Sequence, residues 1–404
     1  MSLPTPLDLD AARQRILARI PAPEAVERIA LDRALGRVAA EDSLARTDLP
    51  PFNASAMDGY AFRWRPGLTR LRVVGASLAG HPFTGEVPDG AAVRITTGAA
   101  LPGDCDTVVI QEDCALSGTA LRLNSAPSRG GNVRLRGHDL RQGDIVAARG
   151  RRLNAFDIGT LAAAGVDATT VFARPRIAVF SSGDELQRPG TPLAHGNIYD
   201  SNRYAVAGLL SQLPVAVRNL GVLADDASAI ADALTEASAE CALILTSGGV
   251  SVGDADLVKS TLERLGELDF WRLNLKPGKP LAFGRIGQAR LMGLPGNPVS
   301  TIVTYLLLAK PAVEALCGMA PQEPLILRCQ LTQAVRHKAG REEYLRGTAT
   351  TAQRPAQVTP TGDQSSNRMS TFAAANCLIR IPKSDGDLPA GAWVEVLPFT
   401  GLVS

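Results

Sequence analysis

CALILTSGGVSVGDAD, residues 241–256, passes from the apolar run Cys241–Leu245 into a glycine-rich turn and then into a helical pattern. A short apolar run bounded by such a turn reads as a buried strand. The same rhythm recurs on both sides. Arg176–Phe180 is followed by SSGDEL, Ala216–Leu223 by Asp225 and Asp226, and Ala289–Met292 by GLPGNPVS and the apolar helix Thr301–Leu316. Strands alternating with helices predict a parallel, doubly wound α/β sheet from about 171 to 320. Ligands of such sheets bind beyond the carboxyl ends of the strands, where these loops lie.

Outward from this unit the rhythm changes. Residues 1 to about 41 read as helical, with Met1–Ile20 an amphipathic helix carrying Arg13, Arg15 and Arg19. From about 42 to 141, short strands such as Leu71–Val74, Ala92–Ile95 and Thr107–Ile110 alternate with Gly and Pro turns, predicting a small β-rich domain. The tail from about 323 returns to short strands and reads as a β-barrel or sandwich.

At 404 residues the chain is long enough for several cores. A net charge of +2 and an aromatic content of 4% provide neither a basic field nor stacking platforms for nucleic acid. No signal peptide and no run of about 18 apolar residues is evident, so a cytoplasmic location without a membrane span is expected. Cys105, Cys114, Cys241, Cys317, Cys329 and Cys377 are scattered, with no CxxC pair, and read as reduced structural thiols.

The chemistry points to anions. In GLPGNPVS, Asn297 suits an N-cap and Pro298 the first helical position. The helix start then offers N–H groups and partial positive charge beside the Ser300 hydroxyl. KPGKP places Lys276 and Lys279 on a proline-stiffened loop after a strand at Phe270–Leu275. Gly248 and Gly249 permit close backbone approach to a ligand, and Ser251 or Asp254 can cap the next helix. Asp184, Glu185, Asp225, Asp226, Asp254 and Asp256 fall at successive strand ends, the pattern of a Mg²⁺-bridged phosphate site. His81, His138, His195 and His337 are isolated, and no Ser/His/Asp set is evident. Positioning and electrostatic stabilisation are therefore expected, without a covalent intermediate.

Read in order, PPFNASAMDGYAFR (50–63), VRITTGAALPGDCDTVV, GHDL, SSGDEL, GNIYDSN, GGVSVGDAD, KPGKP, GLPGNPVS, GREEYLR and DQSSNRMS resemble the MoeA family of molybdopterin molybdenumtransferases, which includes the gephyrin E domain. The resemblance runs nearly end to end. It implies an elongated homodimer whose active cleft is shared between four-domain subunits. The domains are a linking domain (21–41 and 142–170, small and helical), a β-rich domain (42–141), a MogA-like α/β molybdopterin-binding domain (1–20 and 171–322) and a C-terminal β-barrel-like domain (323–404). It implies insertion of molybdate into the dithiolene of adenylated molybdopterin, with Mg²⁺ and release of AMP, between a MogA-like adenylyltransferase and downstream molybdenum cofactor proteins.

Carried over by position, Lys276, Lys279, Ser300, Arg341 and Ser366 would contact molybdate. Thr97, Ser182, Gly183, Asp184, Asp226, Ser247, Gly248, Gly249, Val250, Ser251, Asp256, Pro295 and Pro298 would bind the pterin nucleotide, with Glu185, Asp226 and Asp256 at the metal. Asn53, Ser55, Asp58, Asp139, Glu185 and Lys279 would act in catalysis, with Ser55, Asp58, Thr97 and Asp139 supplied by the partner subunit's β-rich domain. The chain departs from the family string DNSAMDGYA at Asn53 and Ala54. Asn53 keeps the shape of the usual aspartate and loses its charge. Smaller departures are His138 and Asn367. The departure at Asn53 keeps open a weakened paralogue acting as a cofactor-binding or scaffolding protein. A nucleotide-binding kinase is disfavoured by the lack of a Walker or kinase glycine loop.

Overall fold

The computed structural model describes residues 6–249 and 257–403. Its central unit is a six-stranded sheet in the order 216–223, 176–182, 243–247, 289–294, 280–286, 267–272. The first four strands are parallel, as the alternating pattern predicts, and the last two pairings, 289–294 with 280–286 and 280–286 with 267–272, are antiparallel. Strand Pro280–Ile286 was not anticipated, because it begins inside the KPGKP motif. The expected strand Phe270–Leu275 is also divided. Glu267–Arg272 stays in this sheet, while Leu275–Lys276 turns away to another.

Helices cover both faces of the sheet. Ile230, Leu234 and Ala237 of Ala227–Glu240 and Val258 and Leu262 of Leu257–Leu265 pack with Phe180, Ile244 and Leu291 on one face. The other face joins the largest core, where Val179, Leu245 and Met292 meet Val206, Leu210, Val303 and Leu307. Pro298–Leu316 is one continuous helical run, with a π-helical stretch at Tyr305–Ala309 ahead of Pro311. Among the described residues it is the one helix long and apolar enough, by length and composition, to cross a membrane, although the sequence shows no unbroken apolar run of that length. Most of this helix is buried within the protein itself.

Of the expected helix Met1–Ile20, residues 1–5 lie outside the described residues, and Leu9–Leu17 is helical and inserts Leu9, Ala12 and Ile16 into the same core. Beyond it the helical expectation fails. Pro21 and Pro23 interrupt the helix, and Val26–Ala30 is a strand antiparallel to Ala168–Phe172. The helix of this neighbourhood is Ala155–Ala163, started by a capping box between Asn154 and Asp157. The β-rich region is a six-stranded sheet in the order 107–110, 59–62, 91–95, 70–77, 120–123, 114–117. At the C-terminus, strands 342–350, 357–360, 327–331, 393–398 and 377–381 close on themselves through pairing of 342–350 with 377–381, giving a five-stranded barrel.

The six cysteines are unpaired, as expected from their spacing. Burial pushes the Cys105, Cys317 and Cys377 thiols up to about 12, which leaves them protonated and unreactive at neutral pH.

Candidate functional site

The carboxyl ends of strands 176–182, 243–247 and 289–294 open into a cleft of about 940 Å³. Its far wall comes from the C-terminal barrel. Leu275–Lys276 adds as a short parallel strand to the barrel edge, in register with Glu342–Glu343. The lysine loop is thereby fixed between two units, with Lys276, Lys279, Arg341 and Glu343 all lining the cleft.

Two loops meet at the start of helix Pro298–Leu316. Asn297 occupies the N-cap position with Pro298 next, but its side chain makes no capping hydrogen bond and lines the cleft instead. The Val299 N–H donates to the Ser366 carbonyl at 3.0 Å, and the Thr301 N–H closes the first helical bond on Asn297. Ser300 is buried and lines the cleft, and its amide has no partner among the described residues. An unsatisfied first-turn N–H beside a hydroxyl is an anion-binding arrangement.

The loop carrying Ser366 is organised by Arg346, a fully buried guanidinium. Arg346 donates to the carbonyls of Asp363, Gln364 and Ser365, at 3.1 to 3.2 Å, and to Thr371 Oγ1 at 3.0 Å. Gln364, Ser365, Ser366 and Asn367 consequently form part of the cleft wall.

On the sheet side, Gly248 sits at φ +89°, and a Cβ there would lie 2.6 Å from the Ser182 carbonyl oxygen. Only glycine lets the two strand ends approach so closely. Asn202 clamps the same region, donating from Nδ2 to Ser247 Oγ at 2.7 Å and to the Gly296 carbonyl at 2.6 Å. Ser182 Oγ and Asn202 Oδ1 are buried without a partner among the described residues, and both residues line the cleft. Buried polar atoms without partners are expensive unless a ligand or water completes them.

Carboxylates occupy the edge. Glu185 and Asp225 line the cleft, and Asp184 accepts the Asp225 N–H at 3.1 Å. The Asp225 carboxyl is held above the usual carboxylate range, first by lost hydration and then by the charges of Asp184 and Glu185. Asp226, expected at the metal, instead caps helix Ala227–Glu240, accepting from the Ser228 and Ala229 N–H groups at 3.0 and 2.8 Å. Asp225 is thus the cleft-facing member of the pair. Among the described residues no three Asp, Glu, His or Cys side chains converge closely enough to hold a metal unaided.

The structure therefore gathers Ser182, Gly183, Glu185, Ser247, Gly248, Gly249, Lys276, Lys279, Pro295, Pro298, Ser300, Arg341 and Ser366 around one cleft. Asp184 and Asp226 do not line it. Val250, Ser251, Asp254 and Asp256 lie outside the described residues. Asn53, Ser55, Asp58, Thr97 and Asp139 do not line it either. They sit on the β-rich region, where Asp58 Oδ1 accepts the Thr97 N–H and hydroxyl at 2.7 and 2.8 Å and is held below its ordinary range by those bonds. There Asn53 Oδ1 accepts the Arg136 N–H at 2.9 Å, and the buried Ser55 hydroxyl donates to the Met57 carbonyl at 2.6 Å. Asn202, Glu343 and Gln364 are cleft residues that the sequence did not single out as ligand contacts, whereas Asp225 reads in the sequence only as one of the strand-end carboxylates. All three lie inside quoted strings, GNIYDSN, GREEYLR and DQSSNRMS, so position within a motif was the available signal.

A cleft at the strand ends of a doubly wound sheet, with cations, a helix start and carboxylates around it, defines a binding site for a polyanionic small molecule. Residues 7–165 match the MoeA N-terminal region (domain I and II), 178–315 a probable molybdopterin binding domain and 328–399 the MoeA C-terminal region (domain IV). The chain is 38% identical to the molybdopterin molybdenumtransferase of Haemophilus influenzae, covering 98% of this chain and 100% of that one. It is 32% identical to gephyrin of Dictyostelium discoideum over 92% of this chain and 59% of that longer protein. The crystal structure of the molybdopterin biosynthesis MoeA protein from Pyrococcus horikoshii superposes with a TM-score of 0.80 at 28% identity, covering 98% of this chain and 99% of that one. The chain belongs to the MoeA family of molybdopterin molybdenumtransferases.

Proposed function

We propose that this chain completes molybdenum cofactor synthesis by inserting molybdate into the dithiolene of adenylated molybdopterin, releasing AMP. The observation that carries the proposal is the convergence of Lys276, Lys279, Arg341, Ser300 and Ser366 on one cleft from the α/β unit and the C-terminal barrel. Lys279 and Arg341 have no ion-pair partner among the described residues, so their charge is available to an incoming dianion. A tetrahedral oxyanion takes donors from several directions, which ammonium, guanidinium and hydroxyl groups on opposed walls supply. The sheet side, with Ser182, Ser247, Gly248 and Asn202, is suited to the phosphate and pterin of the larger substrate.

Mg²⁺ fits the carboxylate edge. Hard oxygen donors at Glu185 and Asp225 suit an ion that keeps several waters and shares substrate phosphates instead of occupying an all-protein cage. When bound, it would neutralise the diphosphate that links AMP to the pterin. This chain's own residues would hold the two substrates within reacting distance of each other.

A dimer with a shared cleft is part of the proposal. What supports it is the exposed group Asn53, Asp58, Thr97 and Asp139, which has no place in the cleft of its own chain. The substrate would come from a MogA-like adenylyltransferase and the product pass to downstream molybdenum cofactor proteins. Asn53 favours a second reading, a cofactor-binding or scaffolding protein without turnover. The deciding experiment is AMP release from adenylated molybdopterin with Mg²⁺, with and without molybdate. Molybdate-dependent AMP release is expected, and binding without AMP release supports the second reading.

A further inference from the structure

His337 looks isolated in sequence, yet it is 6% exposed and joined to the cleft. Its Nδ1 lies 2.7 Å from Glu343 Oε2, and Glu343 Oε1 lies 2.8 Å from Lys276 Nζ. Glu343 is 4% exposed, whereas the Lys276 side chain is about half exposed and lines the cleft. The chain of contacts therefore runs from the barrel interior outward to a cation that faces substrate. His337 is itself tied down, since its backbone N–H donates to Asp387 Oδ1 at 2.8 Å.

The surroundings of the ring favour one of its two neutral tautomers. Its Nε2 is buried with no partner among the described residues. A buried N–H without an acceptor is rarer than a buried acceptor without a donor, so the proton belongs on Nδ1, directed at the carboxylate. Glu343 then has one oxygen held by the imidazole and the other free to hold Lys276. A lysine ammonium on four rotatable bonds is otherwise poorly placed for catalysis, and two of its three donors remain for an anion.

We propose that His337 is a positioning residue for the oxyanion site, acting through Glu343 to set the Lys276 ammonium. The proposal rests on the reading of the cleft given above. It predicts an effect confined to molybdate, because Lys276 sits on the barrel wall and not on the sheet side.

The test uses the full chain and the molybdate dependence of AMP release. Asparagine reproduces the Nδ1 donor of histidine, and glutamine places its amide near Nε2. His337→Gln and His337→Ala should raise the KM for molybdate on the order of tenfold, the usual effect of loosening one charge-assisted contact. The kcat and the affinity for adenylated molybdopterin should hold, and His337→Asn should stay close to wild type. In a Lys276→Ala background the His337→Gln effect should vanish, since both act through one contact. Equal effects of Asn and Gln, or a Gln effect that persists in the Lys276→Ala background, would overturn the proposal and reduce His337 to a packing residue. An unchanged KM in Lys276→Ala itself would instead overturn the reading of the cleft. Thermal melts identify any variant that fails to fold, in which case the Asn and Gln pair decides.

Discussion

The Val299 N–H donates to the Ser366 carbonyl at 3.0 Å, joining a helix start of the α/β unit to a loop of the C-terminal barrel. This bond ties together two cleft walls that are remote in sequence. The lysine loop makes the matching connection, pairing Lys276 with Glu343 across a two-residue strand. An oxyanion bound here would be held by both units at once, so the geometry of the site depends on their packing.

Arg346 is the support behind that loop. Replacing it by methionine leaves the carbonyls of Asp363, Gln364 and Ser365 without their donor, and about 3–5 kcal/mol of stability should be lost. Arg346→Lys should recover little, because a single ammonium does not reproduce the planar fork. Urea denaturation measures the loss, and the KM for molybdate should rise in parallel as Ser366 is released.

Ser300→Ala and Lys279→Ala each remove a donor from the anion site and leave the fold alone. The KM for molybdate should rise by roughly tenfold or more in each, corresponding to about 1.5–3 kcal/mol for a hydrogen bond to a charged group. Steady-state AMP release over a molybdate series reads this directly. Wild-type behaviour in both would sink the assignment of the site.

Asn53→Asp restores the carboxylate usual in the family. Asp in this place still accepts the Arg136 N–H, and Arg136 already pairs with Asp48, so the melting temperature should change by no more than about 0.5 kcal/mol would produce. Turnover should rise if the missing charge limits the reaction. AMP release by neither form would favour the scaffolding reading.

The Asp225 carboxyl titrates above its ordinary range. The sign follows from linkage. Below the unfolded value near 3.9, folded and unfolded states are both protonated and no penalty exists. As pH rises through the unfolded and then the folded value, the native state loses stability, and the loss persists above it. A divalent cation needs the ionised form, so Mg²⁺ should raise the melting temperature at pH 7 and not at pH 4. In Asp225→Asn the Mg²⁺ effect should shrink, as a thermal shift titration would register.

Much of the α/β unit was legible because its signals are local. The strands 176–182, 216–223 and 243–247 are short apolar runs bounded by turn residues, and their order along the chain implies parallel pairing. The antiparallel edge was not legible, since Pro280, the last residue of the KPGKP motif, disguises the start of the strand. The helical reading of residues 21–41 failed for the converse reason, because the strand Val26–Ala30 owes its conformation to a partner about 140 residues away. At the site, Asp225 and Asp226 are indistinguishable as neighbours in sequence. One becomes a cap and the other a cleft residue only when the helix start takes its direction.

From its sequence alone the chain determined its chemical inventory: paired lysines on a stiff loop, a proline-started helix, glycines at strand ends and acidic residues between them. Those follow from short-range rules of backbone sterics and charge, which need no knowledge of the chain's path. Only the tertiary structure decided that Lys276 meets Glu343, that Arg346 carries the Ser366 loop to Val299, and that His337 stands behind Glu343. The contacts that join the two walls, Lys276 with Glu343 and Val299 with Ser366, link residues tens of positions apart, and the hydrophobic burial that brings the units together is non-directional. No local pattern therefore encodes which side chains end up facing each other.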